Sequence, residues 1–244
     1  MTTTVIDLTL EETDDEQYNT DTDETITVVN GFPFTTRHRS ILQDSQEWLT
    51  DEIINAFCFR VVTAKPKVHC CSTFFYTKIA ASMDEAWLNR WKRTVTGKDL
   101  IVVPVNWGNS HWALVVYDVK ANALRYYDSM MNTANSRQAL GLIKEAFEMC
   151  QLFPEPSPPS TRQSSDTVGV LAFIMSKVTI NEPNKSPPPL KLETPPGQYQ
   201  QTDGSSCGVF VCWWIAKLTG FIVSAPPNPT VFRKRILDSI INPP

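Results

Sequence analysis

Residues 200–214, QQTDGSSCGVFVCWW, set Cys207 between a run of small polar residues and an apolar stretch with the character of a buried helix. A free thiol has a pKa near ~8.5, and a helix N-terminus together with a neighbouring imidazolium lowers it by stabilising the thiolate. Cys207 has the first of these by position. The second must come from one of three histidines, His38, His69 and His111. His38 lies beside an acidic N-terminal arm and His69 sits against two cysteines in KVHCCS. His111 instead opens the strand-like run HWALVVYDV, with Asp128 at the end of the next such run. His111 is the economical choice. Cys207, His111 and Asp128 then supply a nucleophile, a base and an acid that fixes the imidazole tautomer. Gln201, on the same polar loop as the cysteine, can offer its amide to a developing oxyanion beside the backbone N–H of Cys207. These residue types together fit acyl transfer.

Several elements must position them. DLIVVPV (99–105), HWALVVYDV (111–119) and ALRYYD (123–128) have strand composition, with KANA as the turn of a hairpin between the last two. In an antiparallel hairpin the start of one strand faces the end of the next, which brings His111 to Asp128. CGVFVCWWIAKL (207–218) is apolar on all sides and stops at TG, as a buried helix does with Gly220 beyond its C-terminus. EWLTDEIINAFCFRVV reads as a helix from about Thr50, which can cap it, with Asp51 and Glu52 where the helix dipole favours acid. Trp48 then lies just before that helix.

The apolar share of 42%, with 10% aromatic residues, is that of a folded chain, and 244 residues suffice for one sizeable core. Residues 1–30 hold nine of the 26 Asp and Glu and none of the 22 Lys and Arg, so this stretch reads as a disordered acidic arm. The mildly basic remainder shows no stripe of Lys and Arg interleaved with aromatics, and nucleic acid is not an expected partner. FPEPSPPSTRQSSD (153–166) and NEPNKSPPPLKLETPPG (181–197) read as Pro-rich surface insertions in a single domain spanning 31–244. No apolar run approaches the ~18 residues that cross a bilayer. The six cysteines show no disulfide framework and the N-terminus has no signal-peptide pattern, so an intracellular protein, nuclear or cytoplasmic, is expected. Cys58, Cys150 and Cys212 read as packing. The HCC run with Cys58 lacks a paired C-x-x-C spacing, and neither metal nor other cofactor is expected.

On four stretches in order, WLTDEIIN, CSTFFYTKI, VVPVNWGNSHWALVVYDVKANALRYYDS and QTDGSSCGVFVC, the chain resembles the ubiquitin-like-protease family of cysteine proteases, the SUMO-specific (sentrin-specific) peptidases. The resemblance implies an α+β, papain-like cysteine protease fold, with a central mixed sheet and the catalytic Cys at a buried helix N-terminus. It also implies a triad at His111, Asp128 and Cys207, an oxyanion-hole Gln at Gln201, and cleavage after the Gly-Gly end of a ubiquitin-like modifier. The tryptophans that cover the Gly-Gly tunnel map onto Trp48 and Trp112, and Asp51 is placed among the substrate contacts. Two positions depart from the pattern. The residue before the nucleophile, usually Asp, is Ser206, and the usual Asn two residues after the Gln is Asp203.

VIDLTLEETDDE resembles a SUMO-interacting motif, in which Val5, Ile6 and Leu8 add a strand to the modifier's sheet while the acids meet its basic rim. The sequence therefore leads to a monomeric SUMO-specific isopeptidase acting on SUMO or its conjugates. Its rivals are a protease of a Nedd-type modifier or of a viral precursor, and a SUMO-binding module without catalysis. TITVVN (25–30) has the alternative of a first edge strand.

Overall fold

A computed structural model describes residues 23–154, 188–221 and 228–243. Val5, Ile6, Leu8 and most of the first Pro-rich insertion lie outside the described residues. Described elements follow the order β1 (Thr25–Val29), β2 (Phe32–Thr35), α1 (Thr36–Gln43), α2 (Asp51–Ala64), β3 (Val68–Cys70), α3 (Phe74–Ala81), α4 (Glu85–Val95), β4 (Leu100–Trp107), β5 (His111–Asp118), β6 (Ala123–Tyr127), α5 (Thr133–Met149), β7 (Lys191–Glu193), α6 (Cys207–Thr219) and α7 (Pro229–Ile241).

Five strands form one mixed sheet in the order β3-β4-β5-β6-β7, antiparallel at its centre and parallel at both edges. β4 and β5 are near-continuous apolar runs because both faces of the sheet are covered. Val102, Leu114 and Val116 face a core shared with α2, α6 and α7. Their neighbours Ile101, Val103, Val115 and Tyr117 face a second core under α3, α4 and α5. The helix expected to be apolar on all sides is α6, buried at every position from Cys207 to Ala216. Gly220 ends it with a left-handed φ of 63°, as the sequence predicts. α2 begins after Thr50 as expected, but the Thr50 hydroxyl makes no capping hydrogen bond, so the start rests on backbone conformation and on Asp51 and Glu52.

Two expectations change. Residues 25–29 are not part of a disordered arm; they form β1, the edge-strand alternative, paired with β2. Within the second Pro-rich stretch, Lys191–Glu193 is a strand rather than surface loop, because β6 offers it a parallel partner. No described helix is long and apolar enough to cross a membrane.

Candidate active site

β4 and β5 are joined by a tight turn in which Gly108 and Asn109 both take left-handed backbone (φ 57° and 54°), conformations that Gly and Asn tolerate best. That turn delivers His111 as the first residue of β5, opposite Trp107. Asp128 directly follows β6. Extending the register beyond Leu114↔Tyr127 sets Asp128 beside Ala113, so His111 is its diagonal neighbour on one face rather than the residue directly across. The pair still meets: His111 Nε2 lies 2.7 Å from Asp128 Oδ1. A carboxylate at neutral pH can only accept, so Nε2 carries the proton and donates it. The other ring nitrogen, Nδ1, is buried without a hydrogen-bond partner.

Asp128 is itself held on every side. Oδ1 also accepts the Met130 N–H (2.8 Å), and Oδ2 accepts the Tyr126 hydroxyl (3.0 Å) and the Asn132 N–H (3.3 Å). The Trp107 indole donates to the same Tyr126 oxygen at 3.2 Å. The Asp128 N–H is taken by Oε1 of Gln198, whose Nε2 donates to the Tyr126 carbonyl. Burial alone would raise the Asp128 pKa, but the His111 hydrogen bond, the backbone donors and the imidazole charge outweigh it and the carboxyl is lowered. Burial likewise works against the imidazolium. The hydrogen bond to Asp128, the nearby Cys207 thiol and the Asp128 charge reverse that and raise His111 to about 9.

Cys207 is the first residue of α6 and is buried. Its thiol lies close enough to the His111 ring to influence its charge, although Nδ1 has no formed hydrogen bond. Gly208 follows it at a close approach: a Cβ there would stand 2.8 Å from Leu49 Cβ and 3.4 Å from Trp112 Cδ1. Only a glycine lets the start of α6 sit against the Trp48–Leu49 segment. Gly208→Ala is expected to destabilise the fold by about 1–3 kcal/mol through overpacking. A fall in the urea midpoint at unchanged slope would record it.

Gln201 is oriented by its neighbours. Its Oε1 accepts the Ser129 hydroxyl, its Nε2 donates to the Asp203 carbonyl at 2.7 Å, and its own N–H donates to the Ser129 carbonyl at 3.0 Å. It is thereby tied to the residue that follows Asp128 and to the loop that precedes Cys207. Trp112 is buried, with its indole N–H donated to the Leu49 carbonyl at 3.0 Å, whereas Trp48 is exposed. Asp51 heads α2 and lines a surface cavity with Glu52, Asn55, Phe32 and Phe74.

The other two histidines are elsewhere. His38 closes a capping box with Thr35 at the start of α1. His69, on β3, packs edge-on against Trp91, and burial lowers its pKa to about 4. No group of His, Cys, Asp and Glu among the described residues could hold a metal ion.

Gln198, Tyr126 and Arg233 support the site without having been singled out in the sequence, and Asp203, named there only as a departure from the family pattern, supports it too. Arg233, on α7, is buried and donates to the backbone carbonyls of Ile41 (2.9 Å), Glu47 and Ser205 (3.4 Å). It joins the segment before Trp48 to the loop before Cys207.

Residues 47–220 match the Ulp1 protease family, C-terminal catalytic domain. The chain is 28% identical over 210 residues to human "Sentrin-specific protease 2", covering 80% of this chain and 30% of that protein. It is 30% identical over 170 residues to "Ubiquitin-like-specific protease 1" of Saccharomyces cerevisiae, covering 68% of this chain and 22% of that protein. The chain thus spans less than a third of the length of either relative. Among solved structures, the C-terminal Ulp1 protease domain in complex with Smt3, the yeast orthologue of SUMO, superposes with a TM-score of 0.64 at 23% identity, over 90% of this chain and 87% of that one. The Ulp1-like SUMO protease catalytic domain of Chaetomium thermophilum does so at 0.59 and 18%, over 90% and 83%. The fold is therefore the α+β protease fold with a central mixed sheet that the resemblance implies.

Proposed function

The chain belongs to the Ulp1 protease family, and on that premise we propose that it is a cysteine isopeptidase that cleaves after the Gly-Gly end of SUMO, releasing it from conjugates and processing its precursor. The observation that carries this reading is the His111–Asp128 contact at 2.7 Å beside a buried thiol at the head of α6. The relatives' names and the Smt3 complex of the similar yeast domain support SUMO as the modifier.

In this reading the thiol proton already rests on Nδ1 of His111, the ring nitrogen without a partner, and the Cys207 sulfur it leaves behind attacks the carbonyl of the terminal Gly. The free N–H of the Gln201 amide and the Cys207 backbone N–H receive the oxyanion. Protonated His111 then gives its proton to the departing Lys amine, and water activated by the same imidazole frees the acyl-enzyme. Trp48 and Trp112 flank the Gly-Gly tail and Asp51 contacts the modifier's body. Val5, Ile6 and Leu8 tether a second SUMO unit. The chemistry requires a reduced thiol, which supports the nucleus or cytoplasm as its compartment.

Vinyl sulfone probes built on SUMO, a Nedd-type modifier and ubiquitin test the reading. A covalent adduct forms with SUMO first. Preferential labelling by the Nedd-type probe transfers the chemistry to another modifier, and labelling by none, in folded protein, leaves a SUMO-binding module.

A further inference from the structure

We propose that Asp203 is a positioning residue that holds both oxyanion donors in place, fixing the Gln201 amide through its carbonyl and the Ser206–Cys207 peptide through its carboxylate. The proposal rests on the reading of those two groups as the oxyanion donors.

Asp203 engages five donors within the loop. Oδ1 accepts the N–H groups of Ser205 (2.9 Å) and Ser206 (2.8 Å) and the Ser205 hydroxyl (3.4 Å), and Oδ2 accepts the Ser206 hydroxyl at 2.8 Å. Its carbonyl accepts Nε2–H of Gln201 at 2.7 Å. A backbone carbonyl has no proton to give, so this contact settles which end of the Gln201 amide is nitrogen and leaves one N–H free to meet a ligand. Ser206 is gripped by both its N–H and its hydroxyl. The ψ of that residue, 1°, sets the direction in which the Cys207 N–H points. One side chain and its own carbonyl therefore control the two groups that must converge on a single oxygen.

A carboxylate suits this position because only an acceptor without protons can serve all four side-chain contacts. Burial works against its charge, but the Ser205 and Ser206 donors outweigh that and keep the pKa below the ordinary value. Asp203 and Ser206 are also the two positions at which the chain departs from its family pattern, and they are the two ends of one hydrogen bond. Asn at 203 with Asp at 206 would again place one carboxylate against one donor. The chain carries the same pairing with its ends exchanged.

Two reactions of Cys207 separate positioning from general damage. Hydrolysis of a fluorogenic SUMO Gly-Gly amide builds an oxyanion. Alkylation by iodoacetamide does not: the thiolate forms an S–C bond as the C–I bond breaks and iodide leaves. Gln201→Ala is expected to lower kcat by about 10²-fold. Asp203→Ala is expected to lower it by at least about 10-fold, and by less than that when added to Gln201→Ala. Alkylation of the Cys207 peptide, followed by mass spectrometry, stays within about threefold in each because this reaction builds no oxyanion for the two donors to hold.

Ser206→Asp alone sets two carboxylates together and is expected to lose about 10-fold, while Asp203→Asn/Ser206→Asp recovers to within about threefold of wild type. Full turnover by Asp203→Ala beside a defective Gln201→Ala overturns the proposal and leaves the oxyanion reading standing. Equal loss of hydrolysis and alkylation also overturns it. Full turnover by Gln201→Ala removes the oxyanion reading and the proposal with it. Should Asp203→Ala fail to fold, the exchange pair decides, and equal loss in single and double variants is the contrary result.

Discussion

Replacing Cys207 with Ala is expected to lower SUMO cleavage by about 10⁴-fold or more, the scale seen when a nucleophile is removed from a triad. The fold should survive. Alanine keeps the helical start of α6, and the change deletes one sulfur from a position already enclosed by packing. No neighbouring thiol can take over the chemistry. A contact with Cys58, together with partial burial, holds the Cys70 thiol well above its ordinary pKa, and burial raises Cys71 and Cys212 likewise. Those thiols stay protonated, and protonated sulfur is a poor nucleophile. Modifier binding should persist in the variant, because the proposed contacts at Trp48, Trp112 and Asp51 are untouched. Progress curves at high enzyme concentration, alongside a binding titration and a thermal melt, measure all three.

Asp128→Asn is the second large effect, with an expected loss of about 10²–10⁴-fold. The carboxylate accepts from His111, Tyr126, Met130 and Asn132, whereas an amide offers one acceptor and one donor in the same space. Its NH₂ group must face either the imidazole N–H or the Tyr126 hydroxyl. Facing the imidazole, it forces the proton to Nδ1, where the thiol proton has to go.

The pH profile carries a separate signature. His111 is raised to about 9, so wild-type activity should fall on the alkaline side as the imidazolium needed for the leaving amine is lost. Removing the Asp128 charge and hydrogen bond moves that limb down, towards the ordinary histidine value. Stability follows the same linkage. The His111 contribution is fully present below about pH 6.5, the unfolded value, and is lost as pH rises through about 9. The Asp128 contribution runs the other way and is lost as pH falls through its lowered pKa. Rates and melting temperatures of the two proteins between pH 5 and pH 10 would show both limbs.

The elements that carry Cys207 and His111 were legible because each is a long apolar run with one chemically distinct residue at its end, and Asp128 because it closes the hairpin that His111 opens. Burial on both sheet faces made β4 and β5 unmistakable, and burial on every side did the same for α6. What stayed hidden depends on contacts between distant segments. β7 is three residues within a Pro-rich stretch, and only its partner β6 makes it a strand. Gln198 reads as a loop amide until it meets the Asp128 backbone 70 residues away. Arg233 sits in FRKR, where nothing in the sequence sets it apart from Lys234 and Arg235. Packing of α7 buries that one cation against three carbonyls. The hairpin argument was right about proximity but not about register, since His111 reaches Asp128 across a diagonal.

The central proposal is that Sγ of Cys207 is the atom that receives the terminal Gly acyl group of SUMO. Its most direct test is to react the protein with a SUMO Gly-Gly vinyl sulfone, digest the adduct and locate the modified residue by mass spectrometry. The account predicts one modification, on the Cys207 peptide, that disappears in Cys207→Ala. An adduct on any other cysteine, or an undiminished adduct in Cys207→Ala, would contradict it.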